Sequence, residues 1–342
     1  MKVSIIVPCR NEERHIAACL DSILATTYPR DQLEVLVVDG ASDDRTREIA
    51  TQYAARHAHI RVLDNPKRIV PAALNIGIRA ASGEVIVRMD AHVVYPPDYV
   101  SRLLAAQRRT GADNVGGKVC TVPADDSAVA RAVAVALSHP FGVGNSYFRI
   151  GAGDDRWVDT VPFGCFRRDV FERVGLFDEE LVRNQDDEFN HRLIRHGGRV
   201  LLVSDVVSRY YARSSLRQLG RMCYQYGLFK PVVMKKVGRV MTARQLVPAG
   251  FLLTLVGTGV AALVWPSAAV AWWLVVGGYL AALAACAMPA GFVQGPRCAL
   301  ALAAAFVTLH VSYGLGFLRG LFAIELGMRG RPRDPTAVPL SR

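Results

Sequence analysis

The sequence predicts an α/β domain built on a central, mostly parallel sheet, followed by C-terminal transmembrane helices. Three observations carry that expectation. Short β-branched runs alternate with helix-patterned stretches from Val3 to Asp90, which is the signature of a parallel sheet with right-handed crossovers. Polar clusters follow three of the four early strands, where ligands bind in such sheets. From Gln245 to Pro296 there is no Asp, Glu, Lys or Arg, a stretch far longer than the roughly 20 residues that one bilayer crossing needs.

Taken in order, Val3 to Val7 is a buried strand closed by Pro8, and Glu12 to Leu24 has helical spacing, with Ile16, Leu20, Ile23 and Leu24 on one face. Glu34 to Val38 is a second strand, ended by Asp39-Gly40. Asp43 to Arg56 reads as a helix, Arg61 to Leu63 as a strand and Ala72 to Ala81 as a helix. Val85 to Met89 is a fourth strand, stopping at Asp90. Beyond Val100 the pattern loosens. Val115 to Val122 and Arg199 to Val203 are strands, Val129 to Leu137 and Ser215 to Phe229 are helices, and Gly142 to Gly153 is a glycine-rich stretch. Pro266 and Pro289 divide the apolar region into Leu246 to Trp265, Ala268 to Met288 and, after Arg297, Cys298 to Leu318, each long enough to span.

Charge and cysteine usage narrow the setting. The formal net charge is +11, and no acidic residue lies between Asp205 and Glu325. That interval holds Arg209, Arg213, Arg217, Arg221, Lys230, Lys235, Lys236, Arg239 and Arg244. A basic segment directly before an apolar one suits the cytoplasmic face of a membrane and its anionic lipid. It does not suit a nucleic-acid interface, because the charge stops where the apolar run begins. Seven cysteines are scattered without paired spacing, as expected of reduced thiols facing a cytosol. Met1-Lys2 leads straight into a strand, so no signal peptide is expected and insertion falls to the C-terminal segments. Three crossings from a cytoplasmic domain would put Arg329, Arg331 and Arg333 outside, so either the charge rule fails here or one segment is interfacial or re-entrant. The Pro/Arg-rich tail from Arg329 is expected to be disordered.

The candidate chemistry lies in acidic residues at strand ends. Asp39, Asp43 and Asp44 follow one strand, and Asp90 follows another. Neighbouring carboxylates can accept hydrogen bonds from a nucleotide and hold a hard divalent cation, Mg²⁺ or Mn²⁺, with the imidazole of His92 tolerable for Mn²⁺. Asp-Gly and Ser-Asp-Asp also serve simply as turns and helix caps. Asp90, between Met89 and Ala91, needs a partner if it is buried.

Five stretches turn these signals into a resemblance: Val3-Ser-Ile-Ile-Val-Pro-Cys-Arg-Asn-Glu12, Val37-Val-Asp-Gly-Ala-Ser-Asp-Asp-Arg-Thr46, Arg88-Met-Asp-Ala-His92, Asn184-Gln-Asp-Asp-Glu188 and Gln218-Leu-Gly-Arg-Met222. In their order and separation they resemble the family 2 glycosyltransferases, which have the GT-A fold. Within that family they are similar to the bacterial exopolysaccharide and lipid-linked sugar enzymes of the succinoglycan glucosyltransferase type. The likeness covers residues 1 to 230 well and the membrane region only in kind. It implies that Pro8, Arg10 and Glu12 line the nucleotide pocket, that Asp39 accepts a hydrogen bond from the base, and that Asp43 or Asp44 approaches the ribose or its loop. Asp90 and His92 occupy the metal motif, commonly Asp-x-Asp, with histidine as a departure. Asp186 stands where the family places its general base, with Gln185 replacing a glutamate, and Glu188 and Arg192 continue that motif. Asp187 is the adjacent competitor; consecutive helical side chains point about 100° apart, so only one of the pair can face an acceptor. Phe163 and Gly164, in Thr160-Val-Pro-Phe-Gly164, match the loop before the base and shape the acceptor side. Gln218 and Arg221 share a helix face and resemble a Gln-x-x-Arg-Trp motif in which Met222 replaces tryptophan. Arg221 would meet the diphosphate, or else lipid phosphates.

The expectation is an inverting, metal-dependent transfer from a UDP-sugar, such as UDP-glucose, to a lipid-linked saccharide or lipid. The expected organisation is a cytosolic catalytic domain at 1–230, a basic interfacial linker at 231–245, a transmembrane region at 246–320 and a basic tail at 321–342, in the inner membrane. A processive polysaccharide synthase is the alternative, against which Met222 and only three spans argue. A catalytically inactive scaffold is the third reading. A dehydrogenase is excluded because the first strand leads into Pro8-Cys9-Arg10-Asn11-Glu12 rather than G-x-G-x-x-G.

Overall fold

The computed structural model of the chain describes residues 1–325 apart from 239 and 241. Arg239 and the tail residues Arg329, Arg331 and Arg333 lie outside the described residues. The alternating half is β1 (Val3–Cys9), α1 (Ile16–Leu24), β2 (Leu33–Asp39), α2 (Thr46–Arg56), β3 (Ile60–Asp64), α3 (Val70–Ala80) and β4 (Val85–Arg88). It continues through β5 (Val93–Val94), α4 (Tyr99–Thr110), β6 (Asn114–Val122), α5 (Ala128–Ala136), α6 (Pro140–Val143), α7 (Tyr147–Ile150), β7 (Arg156–Trp157), β8 (Cys165–Arg167), α8 (Asp169–Val174), α9 (Gln185–Arg195) and β9 (Val200–Tyr211). The C-terminal helices are α10 (Leu216–Val237), α11 (Val247–Val264), α12 (Pro266–Gln294) and α13 (Pro296–Glu325).

The main path of the sheet runs β3-β2-β1-β4-β8-β6-β9-β5. The pairs β1–β2, β1–β4 and β2–β3 are parallel, as the alternation requires. Strand β8 inserts antiparallel between β4 and β6, and β5 and β7 pair antiparallel with β9. The result is a mixed, mostly parallel sheet of the GT-A kind. β1 and β2 are buried along their whole length, which is why they read as unbroken apolar runs. Pro8 is tolerated because β1 pairs with β4 only as far as Ile6, so its missing N–H costs no bond on that side.

Four aromatic rings, Phe166, Phe171, Phe177 and Phe189, form a core beside the sheet, with Phe177 stacked on Phe189 at 4.4 Å. They seat α9, whose first turn carries Asp186 and Asp187.

Several elements differ from their sequence-based bounds for local reasons. α1 begins at Ile16 rather than Glu12, and the amides of Glu12 and Glu13 donate to Thr46 Oγ1 (2.6 Å) and Asp44 Oδ2 (3.2 Å), tying the turn before it to the acidic loop. α2 likewise starts after the acidic loop, at Thr46. β9 runs on to Tyr211 with one face buried, its polar alternation hiding the strand. α10 continues through Pro231 to Val237.

The described residues divide into two compact units, Met1–Cys120 with Tyr147–Tyr211, and Thr121–Ser146 with 212–325. In the second unit α13 is the central helix, packed against α5, α10, α11 and α12. Its glycines allow the approach to α10. A Cβ on Gly316 would stand 2.1 Å from the Tyr224 carbonyl, and one on Gly227 would stand 2.1 Å from that of Tyr313. His310 on α13 reaches the Phe141 carbonyl with Nε2 at 2.7 Å and the Tyr279 hydroxyl with Nδ1 at 3.0 Å. Helices α11, α12 and α13 are each long and apolar enough to cross a bilayer, and α11 and α12 expose Leu253, Val256, Leu263, Trp273 and Phe292. They give the chain a multi-pass membrane anchor.

Candidate active site

The early strands end side by side, and their polar clusters meet there. Asp39 closes β2 and is buried. Its carboxylate accepts from the Ser42 hydroxyl at 2.5 Å and the Ser42 amide at 3.2 Å, and Arg47 Nη1 stands 3.6 Å away. Asp39 therefore builds its own loop as well as facing the strand ends. Asp43 is exposed, with Arg10 Nη2 3.8 Å from it. Asp44 does what the turn-and-cap reading expects: it accepts from the Thr46 amide (2.9 Å), the Thr46 hydroxyl (2.5 Å) and the Glu13 amide. Partial burial raises its pKa, but the Thr46 bonds prevail and hold it below the usual carboxylate range. Arg10 Nε is buried with no hydrogen-bond partner among the described residues.

Asp90 follows β4 and has the partner its position demands. Arg88 grips it with Nε to Oδ1 at 2.8 Å and Nη2 to Oδ2 at 3.0 Å. Burial pushes the Asp90 carboxyl up, and the Arg88 guanidinium more than reverses this, holding it below the carboxylate range. The third guanidinium nitrogen, Nη1, lies 4.0 Å from Asp186 Oδ2. Beside them His92 Nδ1 sits 3.2 Å from Glu12 Oε1, and its ring meets the edge of Tyr210 at 5.2 Å. Asp186 and Asp187 both stand half-buried in the first turn of α9, and the Asp187 amide donates to Asp186 Oδ1 at 3.1 Å. Asn184, in the left-handed region at φ 61, bends the chain into that turn.

The first turn of α9 is braced from behind. Arg192 bonds Glu188 through Nε at 2.7 Å and Nη2 at 2.8 Å, and also reaches the carbonyls of Val174 and Leu176. A buried amide relay runs from Asn114 Nδ2 to Asn190 (2.7 Å) and from Asn190 Nδ2 to Thr160 (2.9 Å), tying β6, α9 and the loop at 160–164 together. In that loop Phe163 has φ 49, and its carbonyl accepts from Tyr99 at 3.1 Å. Gly164 takes the Arg88 amide on its carbonyl at 2.9 Å, and a Cβ there would collide with Asn114 Oδ1.

Not every expected residue joins this group. Gln218 and Arg221 belong to α10 in the second unit. Gln218 accepts from Ser214 and Ser215, Arg221 is exposed and Met222 is buried. Sequence reasoning passed over Arg88, Tyr210, Asn190 and Tyr95, whose hydroxyl accepts from the Asp90 amide at 2.7 Å. Arg88 carried a readable signal, since a charge ending a wholly apolar central strand needs a buried partner. The Cys9 and Cys19 thiols are pushed up chiefly by burial, so neither is an available nucleophile.

Among the described residues no group of three or more His, Cys, Asp and Glu side chains is gathered to hold a metal ion. Asp90 and His92 still fit a cation that arrives with its substrate. Mg²⁺-type ions are held by one or two protein ligands plus phosphate oxygens and water. A carboxylate on the Nδ1 of His92 is the outer-shell arrangement that a ligating imidazole has.

Comparison with known proteins places this geometry in a family. The sequence profile of glycosyl transferase family 2 matches residues 4–175. The succinoglycan biosynthesis protein ExoA of Rhizobium meliloti (strain 1021) is 33% identical over 320 residues, 93% of this chain and 94% of that protein. A dolichyl N-acetyl-α-D-glucosaminyl phosphate 3-β-D-2,3-diacetamido-2,3-dideoxy-β-D-glucuronosyltransferase of Methanococcus voltae is 30% identical over 261 residues, 74% of this chain and 79% of its own length. The mannosyltransferase PcManGT of Pyrobaculum calidifontis, solved with GDP-Man and Mn²⁺, shares the fold at a TM-score of 0.55 and 24% identity, covering 94% of this chain and 87% of that one. The chain belongs to glycosyl transferase family 2, as a nucleotide-sugar-dependent glycosyltransferase that works at a membrane.

Proposed function

We propose that the protein is an inverting glycosyltransferase that moves a sugar from a UDP-linked donor to a lipid-linked saccharide or lipid, in exopolysaccharide or glycolipid synthesis. The observation that carries this reading is the meeting of Asp90 and Asp186 on one guanidinium, beside the strand-end loops of Pro8, Arg10, Glu12 and Asp39. One pocket then serves both donor and acceptor.

In this reading Asp39 and Asp43 meet the base and ribose, and Arg10, with its buried unpartnered Nε, faces the phosphates. Asp90 and His92 are the residues that would hold Mn²⁺ or Mg²⁺, which when bound neutralises charge on the departing diphosphate. Asp186 removes the proton of the acceptor hydroxyl as that oxygen attacks the anomeric carbon from the face opposite the leaving group. The new C–O bond forms as the bond to the diphosphate breaks, and the proton ends on Asp186. Phe163, Gly164 and Asp187 shape the acceptor side.

The assigned organisation is a cytoplasm-facing catalytic domain at 1–230, a basic linker at 231–245 that meets anionic lipid, a membrane region at 246–320 and a tail at 321–342. The apolar helices support a lipid acceptor, since an anchored site meets such molecules at the surface.

The test is purified full-length protein in detergent with Mn²⁺ or Mg²⁺, a panel of UDP- and GDP-sugars, and a membrane lipid extract as acceptor, scored for nucleotide release. A UDP-sugar, one sugar added per acceptor and loss of turnover in EDTA or in Asp90→Ala are the expected results. Undiminished activity in EDTA contradicts the cation assignment, and a ladder of products points to the processive alternative.

A further inference from the structure

Arg88 belongs to none of the roles above, yet three parts of the site depend on it. It ends β4 with its side chain only 11% exposed. Its amide holds the Gly164 carbonyl at 2.9 Å, its Nε and Nη2 chelate Asp90, and its Nη1 faces Asp186 at 4.0 Å. Two carboxylates this close to one another, and to an incoming diphosphate, repel unless a permanent cation stands between them. Guanidinium suits that place because it does not lose its charge and its five N–H groups lie in a fixed fork. An ammonium at the same spot supplies a point charge without the fork.

We propose that Arg88 is a positioning residue that fixes the cation-motif carboxylate of Asp90 and the base carboxylate of Asp186 at one separation, so that donor and acceptor groups are aligned together. The proposal rests on the reading of Asp186 as the base. A purely structural ion pair would instead act on folding and on nucleotide affinity together with turnover.

The experiment compares full-length wild type, Arg88→Lys, Arg88→Met, Asp186→Asn and the Arg88→Met/Asp186→Asn double variant in detergent. kcat and donor KM are measured with the nucleotide sugar turned over fastest in the panel. Calorimetry in EDTA measures binding of the matching free nucleotide, UDP or GDP. Arg88→Met is expected to lose on the order of 10²-fold in kcat, as misplacement by about 1 Å does. Its donor KM and its EDTA nucleotide affinity should stay within about threefold of wild type. Arg88→Lys should remain at least about tenfold slow, because it keeps the charge and loses the fork. The double variant should be no slower than Asp186→Asn, since both changes disable one unit. The proposal is overturned by Arg88→Met or Arg88→Lys turning over near the wild-type rate while Asp186→Asn is inactive. It is equally overturned by nucleotide affinity collapsing in parallel with kcat. If Arg88→Met does not fold, Arg88→Lys decides. A fully active Asp186→Asn marks failure of the base assignment itself, which the single Arg88 variants leave untouched.

Discussion

Asp186 and Asp187 stand next to each other in the first turn of α9, and Asp186 faces the Arg88 guanidinium at 4.0 Å. The two are separable by mutation. Asp186→Asn should lower kcat by roughly 10²–10⁴-fold, the span usual for a general base, whereas Asp187→Asn should cost much less. Steady-state nucleotide release checks both, and the reverse order would move the base to Asp187. Glu34 offers a test of stability at the same scale. It lies in β2 opposite Ser4 of β1 and is buried, accepting from the Ser4 hydroxyl and from the amide and hydroxyl of Ser82. Burial raises its pKa, but these bonds outweigh it and the folded value lies below that of the unfolded chain. The sign follows: its stabilisation is complete above the unfolded carboxylate pKa of about 4.3 and is lost as pH falls through the folded value. Glu34→Gln should therefore cost about 1 kcal/mol near neutral pH, with a melting-temperature deficit that shrinks towards zero as the pH drops below about 4.

Among the elements, α10 and α13 depend most visibly on residue size. Gly227 and Gly316 each lie against a carbonyl of the facing helix, where a side chain has no room. Gly316→Val should reduce thermal stability in detergent by about 1–3 kcal/mol or more, as overpacking does. Gly257→Val is the control, because nothing lies within 4 Å of a Cβ there. Equal melting temperatures for the two variants would contradict the packing argument. Pro231 belongs to the same contact: it removes one helical hydrogen bond inside α10, and Gly320 of α13 packs against its ring.

At the scale of the whole molecule, the membrane unit is more than a tether. α13 packs against α10 and α5 as well as against the other spans, so cutting the chain after Gln245 strips α10 of its partner. The truncated protein is expected in the aggregated fraction rather than as a soluble enzyme. Full-length protein should stay with membranes through alkaline carbonate washing. A soluble, active fragment ending at Gln245 would show that α10 keeps its fold without α13.

The alternation of the first ninety residues, the acidic strand ends and the uncharged region were legible because each is local. A buried parallel strand must be apolar along its length, and a bilayer helix must be apolar for about 20 residues. Hence β1, β2, β4 and the three spans lie close to their expected places, and the family follows from short ordered motifs. Local signals also misled where tertiary contacts overruled them. The turn before α1 is held by the acidic loop, so the helix starts only at Ile16, and β9 is long because one of its two faces is covered. Only the folded chain decided that Asp44 is a cap, that β8 inserts antiparallel beside β4, and that Arg88 reaches both Asp90 and Asp186. The last two outcomes depend on residues far apart in the chain, Val87 with Cys165 and Arg88 with Asp186, and no local periodicity encodes that distance.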